Sequence, residues 1–243
     1  MSCSYFILTK TKDTPINNNN NNQIIYLNKL NHYILPQSNI AYYMNNGLFE
    51  SQLIEWSIQF CDKNKIMLDI GAHSGTYSIA LSSYNKCIYA FEPQKMTYYA
   101  LCGSIALSNI RNVNCINFGL GSQEQVGIKD LYIVSNDGGG STVICNTNTT
   151  NNIPILDTEK IEIRTLDSFT IENIGFIKMD VEENELNVLY GSKDTLKNSN
   201  YPKILFECNN AKNNSEEIFT FLKYLNYKII QISGVNNMFL ASQ

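Results

Sequence analysis

The chain has 243 residues, 44% of them apolar, with 18 basic and 22 acidic side chains and a net charge of −4. That is enough for a single α/β domain with a sizeable core and an N-terminal extension. It argues against a polybasic nucleic-acid surface, and no segment approaches the ~20 apolar residues of a membrane span.

About one residue in seven is Asn, and Arg occurs only at Arg111 and Arg164. A coding bias explains both, so Asn-rich surface carries no functional message. Seven cysteines lie scattered without a C-x-x-C pair, and Cys87 and Cys115 sit in apolar runs as small hydrophobes. Met1–Lys12 has no signal-peptide cleavage site. A reducing, cytoplasmic compartment follows.

Residues 1–46 read as an extension. Tyr5–Leu8 and Ile24–Leu27 are spaced to pair as a hairpin, with the Asn17–Asn22 run as a disordered loop. A single α/β domain then fills 47–243. Leu48–Phe60 has helical apolar spacing. Ile66–Ile70 is a short buried strand, Ser74–Ser83 a helix, Cys87–Phe91 a strand, Lys95–Leu107 a helix and Val113–Phe118 a strand. Val126–Val134 reads as a further strand, and a long polar loop starts at Asp137-Gly-Gly-Gly-Ser. Lys160–Arg164 and Gly175–Met179 are strands, Leu186–Leu196 a helix, Lys203–Cys208 a strand and Glu216–Leu225 a helix. Lys228–Ile232 and Asn237–Ala241 close the chain as an antiparallel hairpin. This alternation predicts an α/β fold, a mostly parallel twisted sheet with helices on both faces.

Ligands of such sheets bind beyond the carboxyl ends of the strands. Asp69, Glu92, Asn117, Asp180, Glu182, Glu207 and Asn209 stand there. Gly71 and Gly75, spaced G-x-x-x-G, leave the first turn bare, and Glu92 follows 23 positions after Asp69 to accept from two ribose hydroxyls. A dinucleotide site wants G-x-G-x-x-G; an acid ahead of the turn suits a cationic nucleoside, S-adenosylmethionine (SAM). A binding titration of SAM against NAD separates this reading from a nicotinamide-dependent oxidoreductase. His73 reads as a loop filler rather than a base. Pro93 locks the turn after Glu92, and Asn117 and Gly119 end the third strand near the adenine. Lys178, Asp180 and Glu182 share one side of a strand end, and one of them can deprotonate a substrate hydroxyl. A divalent metal between two carboxylates is an alternative. Asp137–Ser141 reads as a lid or as a disordered surface loop.

Asp69-Ile-Gly-Ala-His-Ser-Gly-Thr-Tyr-Ser, Tyr89-Ala-Phe-Glu-Pro, Asp137-Gly-Gly-Gly-Ser, Arg164-Thr-Leu-Asp-Ser-Phe, Ile177-Lys-Met-Asp-Val-Glu and Leu205-Phe-Glu-Cys, in that order, resemble the FkbM-type methyltransferases. The resemblance covers residues 64–210. It implies a Rossmann-like methyltransferase fold, SAM as methyl donor, and transfer to a hydroxyl of a sugar, glycan or related alcohol. Asp69, Gly71, Ala72, His73, Gly75, Thr76, Phe91, Glu92 and Pro93 match the SAM-binding segments. Asp180 and Glu182 match the acidic motif, with Asp180 the first candidate base and Glu182, Lys178 and Glu207 behind it. The family usually has Gly after that Glu, then a small or aromatic residue; Glu183 and Asn184 stand here. That departure suits a second reading, a SAM-binding scaffold without activity. Methylation of nucleic acid or protein is a third, disfavoured by the acidic balance.

Overall fold

Short apolar runs bounded by turn residues become the central strands, and their order sets where a ligand can lie. The computed structural model describes residues 4–11, 30–143, 154–208, 215–235 and 237–243. In chain order the elements are β1 (Tyr5–Thr11), β2 (Leu30–Pro36), α1 (Ile40–Asn46), α2 (Ser51–Ser57), β3 (Ile66–Ile70), α3 (Thr76–Leu81), β4 (Cys87–Phe91), α4 (Lys95–Leu107), β5 (Val113–Ile116) and β6 (Gly119–Leu120). There follow β7 (Gly127–Ile133), β8 (Asp157–Arg164), β9 (Ile174–Met179), α5 (Glu185–Tyr190), α6 (Lys193–Asn198), β10 (Lys203–Glu207), α7 (Ser215–Tyr224), β11 (Lys228–Gln231) and β12 (Met238–Ser242).

Seven strands form the main sheet in the order β11-β12-β10-β9-β3-β4-β5. β3, β4, β5, β9 and β10 run parallel, and β12 is antiparallel to both of its neighbours. The expected antiparallel pair at the C-terminus is therefore present. Met67 and Leu68 of β3 are both fully buried yet belong to different cores. Successive side chains of a strand leave on opposite faces, so a strand covered on both sides reads as a continuous apolar run. One core joins Leu68 and Ile70 to Leu189 of α5, Leu196 of α6 and Leu222 of α7. The other face carries Leu53 of α2, Tyr77 and Leu81 of α3, and Leu101 of α4.

Several boundaries differ from the sequence expectation. The hairpin partner of β1 is β2, in the register Tyr5↔Pro36; Ile24–Leu27 and Asn17–Asn22 lie outside the described residues. β2 docks on α4, where the Ile34 and His32 amides each donate to a hydroxyl, Ser104 Oγ and Ser108 Oγ, at 2.8 Å. The helix expected over Leu48–Phe60 is the α-helix α2 followed by a 3-10 turn at Ile58–Phe60. Leu186–Leu196 is two helices broken at Gly191-Ser192. A Cβ on Gly191 would lie 2.0 Å from the Gly121 carbonyl oxygen, so the break is where another backbone presses in. β7 and β8, with β6, form a separate three-stranded sheet. Their apolar residues alternate, as Ile161 and Ile163 do, which is the pattern of a sheet covered on one face.

Candidate active site

The sheet switches direction between β3 and β9: β4 and β5 extend to one side, β9 and β10 to the other. A crevice opens beyond the strand ends at such a point. A cavity of about 380 Å³ lies there.

Gly71 is the residue that makes the crevice's floor. It sits at φ +74°, and a Cβ would lie 1.8 Å from the Asp180 carbonyl oxygen. Only a bare residue lets these two backbones approach. The Gly71 and Ala72 amides both donate to the Phe91 carbonyl, at 3.0 and 2.9 Å, and Lys178 Nζ donates to the Gly71 carbonyl at 3.0 Å. The ends of β3, β4 and β9 are thus tied at one point.

Asp69 does not reach the cavity. It is fully buried, and its Oδ2 accepts from the Ser78 amide at 3.0 Å and the Ser78 hydroxyl at 2.6 Å. One residue later, Ile70 lines the cavity from the opposite side of the strand. The sequence argument set Asp69 beside the ligand; instead it holds the first turn of α3 from beneath. Burial raises its pKa against the opposing effects of Lys178 and Ser78.

Glu92 lines the cavity. Its Oε2 accepts from the His73 amide and its Oε1 from the Gln94 amide, each at 2.9 Å. An ionised carboxylate offers about four lone-pair sites, so capacity for two hydroxyls remains. Burial pushes its pKa up to about 7, opposed by those two amides and by Lys178. Asn117 stands behind it, its amide donating to the Glu92 and Pro93 carbonyls at 2.9 Å. Gly75 also lies off the lining; a Cβ there would meet Leu101 Cδ1 at 2.5 Å, so it seats α3 on α4. Ala72, His73, Thr76, Phe91, Pro93 and Gly119 do line the cavity, with Phe118 and Leu120 adding apolar wall.

His73, at φ +50°, bonds through Nε2 to the Asp137 carbonyl at 2.7 Å. A carbonyl only accepts, so Nε2 carries the proton and Nδ1 accepts from the Ser74 hydroxyl at 3.2 Å. Burial lowers the His73 pKa. The imidazole is a neutral strut.

At the end of β9, Lys178 is buried with its ammonium 3.5 Å from Asp180 Oδ2. Burial alone would lower its pKa, but the carboxylates of Asp180, Asp69 and Glu50 outweigh this and raise it. Lys178 therefore stays charged and orients Asp180, which lines the cavity with Glu182. Glu207 lies outside the lining. One carboxylate oxygen from each of Asp180, Glu182 and Glu207 lies within 4.8 Å of the others. Burial, then Asp180, pushes the Glu207 pKa up to about 8. A divalent ion fits that spacing. Asn209 lies outside the described residues.

The loop from Asp137 is fastened over the cavity. The Gly140 amide donates to Glu182 Oε1 at 2.9 Å, and the Thr142 hydroxyl to the Glu182 carbonyl at 2.7 Å. Asn39 donates to Asp137 Oδ2. Residues 39–50 supply a wall that sequence reasoning did not assign: Asn39, Tyr43, Phe49 and Glu50. Glu50 Oε2 accepts from the Tyr77 hydroxyl at 2.9 Å. The aromatic density of Tyr42, Tyr43 and Phe49 is the signal that could have found it.

A family model described as the methyltransferase FkbM domain matches residues 69–229. The chain belongs to that family. The FkbM match takes in the first turn, Glu92 and the acidic motif, and it leaves residues 39–50 outside. Among solved structures, methyltransferase FkbM from Methylobacillus flagellatus KT aligns with a TM-score of 0.54 at 15% identity, over 74% of this chain and 44% of that one. The chain thus spans less than half the length of that protein. A candidate rRNA methylase from Clostridium thermocellum gives 0.50 at 10% identity, over 78% and 91%. A candidate methyltransferase from Streptococcus mutans, in complex with SAH, gives 0.48 at 17%, over 77% and 94%. No curated protein matches the chain. At these identities the structural likeness establishes the fold, and the FkbM match establishes a SAM-dependent methyltransferase domain. No helix among the described residues is long and apolar enough to cross a membrane.

Proposed function

We propose that this FkbM domain transfers a methyl group from SAM to a hydroxyl oxygen of a sugar, glycan or related small alcohol. One observation carries the reading: a carboxyl suited to ribose hydroxyls, Glu92, and a lysine-oriented carboxylate, Asp180, line the same cavity. The bare backbone at Gly71, the apolar walls of Phe91, Phe118 and Leu120, and the spare lone pairs of Glu92 fit a nucleoside donor. Gly71, Ala72, His73, Thr76, Phe91, Glu92, Pro93 and Gly119 form the cofactor side; Asp69, Gly75 and Asn117 support it from behind.

When bound, SAM supplies a methyl group on a good leaving group, so positioning carries much of the rate. The chain's own task is to align the acceptor and take its proton. Asp180 is the base. Lys178 is charged and serves as its positioning residue, and Glu207 is a proton-bearing neighbour. Glu182 fastens the loop over the cavity. Residues 47–243 are the methyltransferase domain and 1–46 an extension. We assign the protein to the cytoplasm, where its described cysteines, all unpaired, suit the reducing conditions.

Asp180→Asn tests the mechanism. Methyl transfer should fall by ~10²–10⁴-fold, the ordinary weight of a general base, while SAM affinity measured by calorimetry stays within about threefold. Unchanged turnover would remove Asp180 from the role.

A further inference from the structure

We propose that residues 43–50 form the acceptor subsite and that the acceptor is a sugar ring bearing an ammonium group and no phosphate. The inference rests on the methyl-transfer reading above and names the acceptor that reading leaves open.

The first ground is where the wall comes from. Tyr43, Phe49 and Glu50 line the cavity but precede the family match, which begins at residue 69. The matched segment holds the donor turn, Glu92 and the base. What this chain adds before that segment is free to select the acceptor.

The second ground is the chemistry of that wall. Tyr43 and Phe49 meet edge to face with centroids 5.0 Å apart, and Tyr42 stacks on Phe49 at 4.0 Å. Phe49 is 39% exposed, so ring surface is available. An aromatic face is negative at its centre and attracts both the polarised C–H bonds of a sugar ring and a cation. Glu50 stands beside these rings, with its Oε2 engaged by a single hydroxyl, that of Tyr77.

The third ground is charge. Among the described residues lining the cavity, five are acidic and one, Lys178, is a cation. Lys178 is committed to Gly71 and Asp180. Among the described lining residues no cation is left to receive a phosphate, and a dianion among carboxylates in a partly desolvated cavity is strongly repelled. An ammonium group is attracted by the rings and the carboxylates together.

The test titrates three probes into protein saturated with S-adenosylhomocysteine: methyl α-D-glucosaminide, methyl α-D-glucopyranoside and glucose 6-phosphate. The amine should bind at least tenfold more tightly than the neutral glycoside, and the phosphate should not bind. Glu50→Gln keeps an acceptor for the Tyr77 hydroxyl and should bring the amine to within about threefold of the neutral glycoside. Phe49→Ala should weaken both glycosides alike. Equal binding of amine and neutral probes, binding of the phosphate, or no binding of any probe overturns the proposal. So does a loss of S-adenosylhomocysteine affinity in Glu50→Gln, which would give the wall to the donor. Methyl transfer to all three sugars alike sinks the subsite and spares the transfer reading. Selective binding of the amine without transfer from SAM does the reverse.

Discussion

Glu183 stands at φ +78° and Glu182 at φ +51°. These are left-handed conformations that cost a side-chain-bearing residue about 1–2 kcal/mol. The FkbM pattern usually has Gly at the position of Glu183, and the backbone explains why: the conformation is kept although the glycine is gone. Glu183→Gly should therefore raise the unfolding free energy by about 1 kcal/mol, seen as a higher urea midpoint. Asn184, the second departure, is a strut. It is buried, donates to the Leu120 carbonyl at 3.0 Å and to Gln125 at 3.2 Å, and accepts from Gln125 at 2.8 Å. Neither residue displaces Asp180 from the cavity lining. At Glu92 the consequence is a pH dependence. Ribose hydroxyls donate best to an ionised carboxylate, and burial holds this one near pKa 7. SAM affinity should rise with pH through about 7 and fall by up to tenfold per unit below it. Glu92→Gln should flatten that profile and weaken binding at pH 8 by about 10–100-fold, the weight of charged hydrogen bonds. Titration calorimetry at pH 6, 7 and 8 checks both.

Elements whose sequence signal was local were legible. β3, β4 and α4 fall at the positions that the apolar runs predicted, because burial on two faces leaves little room for another reading. Elements defined by a distant partner were not. β2 lies later than the expected strand, since its register is set by β1 and by the serines of α4. The break between α5 and α6 is set by the Gly121 backbone, which no helical periodicity encodes. For the site, Glu92 and Asp180 were visible as strand-end acids. Asp69 was misplaced because one position along a strand reverses the face. Glu50 and Tyr77 were invisible because their meeting depends on how α2 lies over α3. The loop at 137–143 is the element whose role the structure sharpens most. Its Asp137 side chain accepts from Asn39, Ser135 and the Gly139 amide. Asp137→Ala leaves the backbone bond to His73 but removes those three. Amide exchange at Gly138–Thr142 should become about tenfold faster, as loss of ~1.5 kcal/mol of charged hydrogen bonding permits. Hydrogen-exchange mass spectrometry reads it directly.

Over the whole molecule, buried carboxyl groups shape the response to pH. Burial raises Glu92 and Glu185 to about 7 and Glu207 to about 8, from an ordinary 4.5. The folded state thus binds more protons than the unfolded chain between pH 4.5 and about 8. Their stabilising contribution is full below 4.5 and is lost as pH rises through 7–8. Without ligand, the thermal midpoint should fall between pH 5 and 8.5. Glu207→Gln should flatten that fall and raise the midpoint at pH 8.5, which a scan across pH would show.

The docking of β2 on α4 joins residues 70 and 76 positions apart. A ribosome adds roughly 5–20 residues each second, so several seconds separate the emergence of His32 from that of Ser108. For that interval Tyr33 and Leu35, wholly hidden in the finished protein, lack the α4 side of their core, Leu101 and Ile105. During synthesis these two side chains wait for α4, so the hairpin cannot reach its final packing until more than seventy further residues have been made.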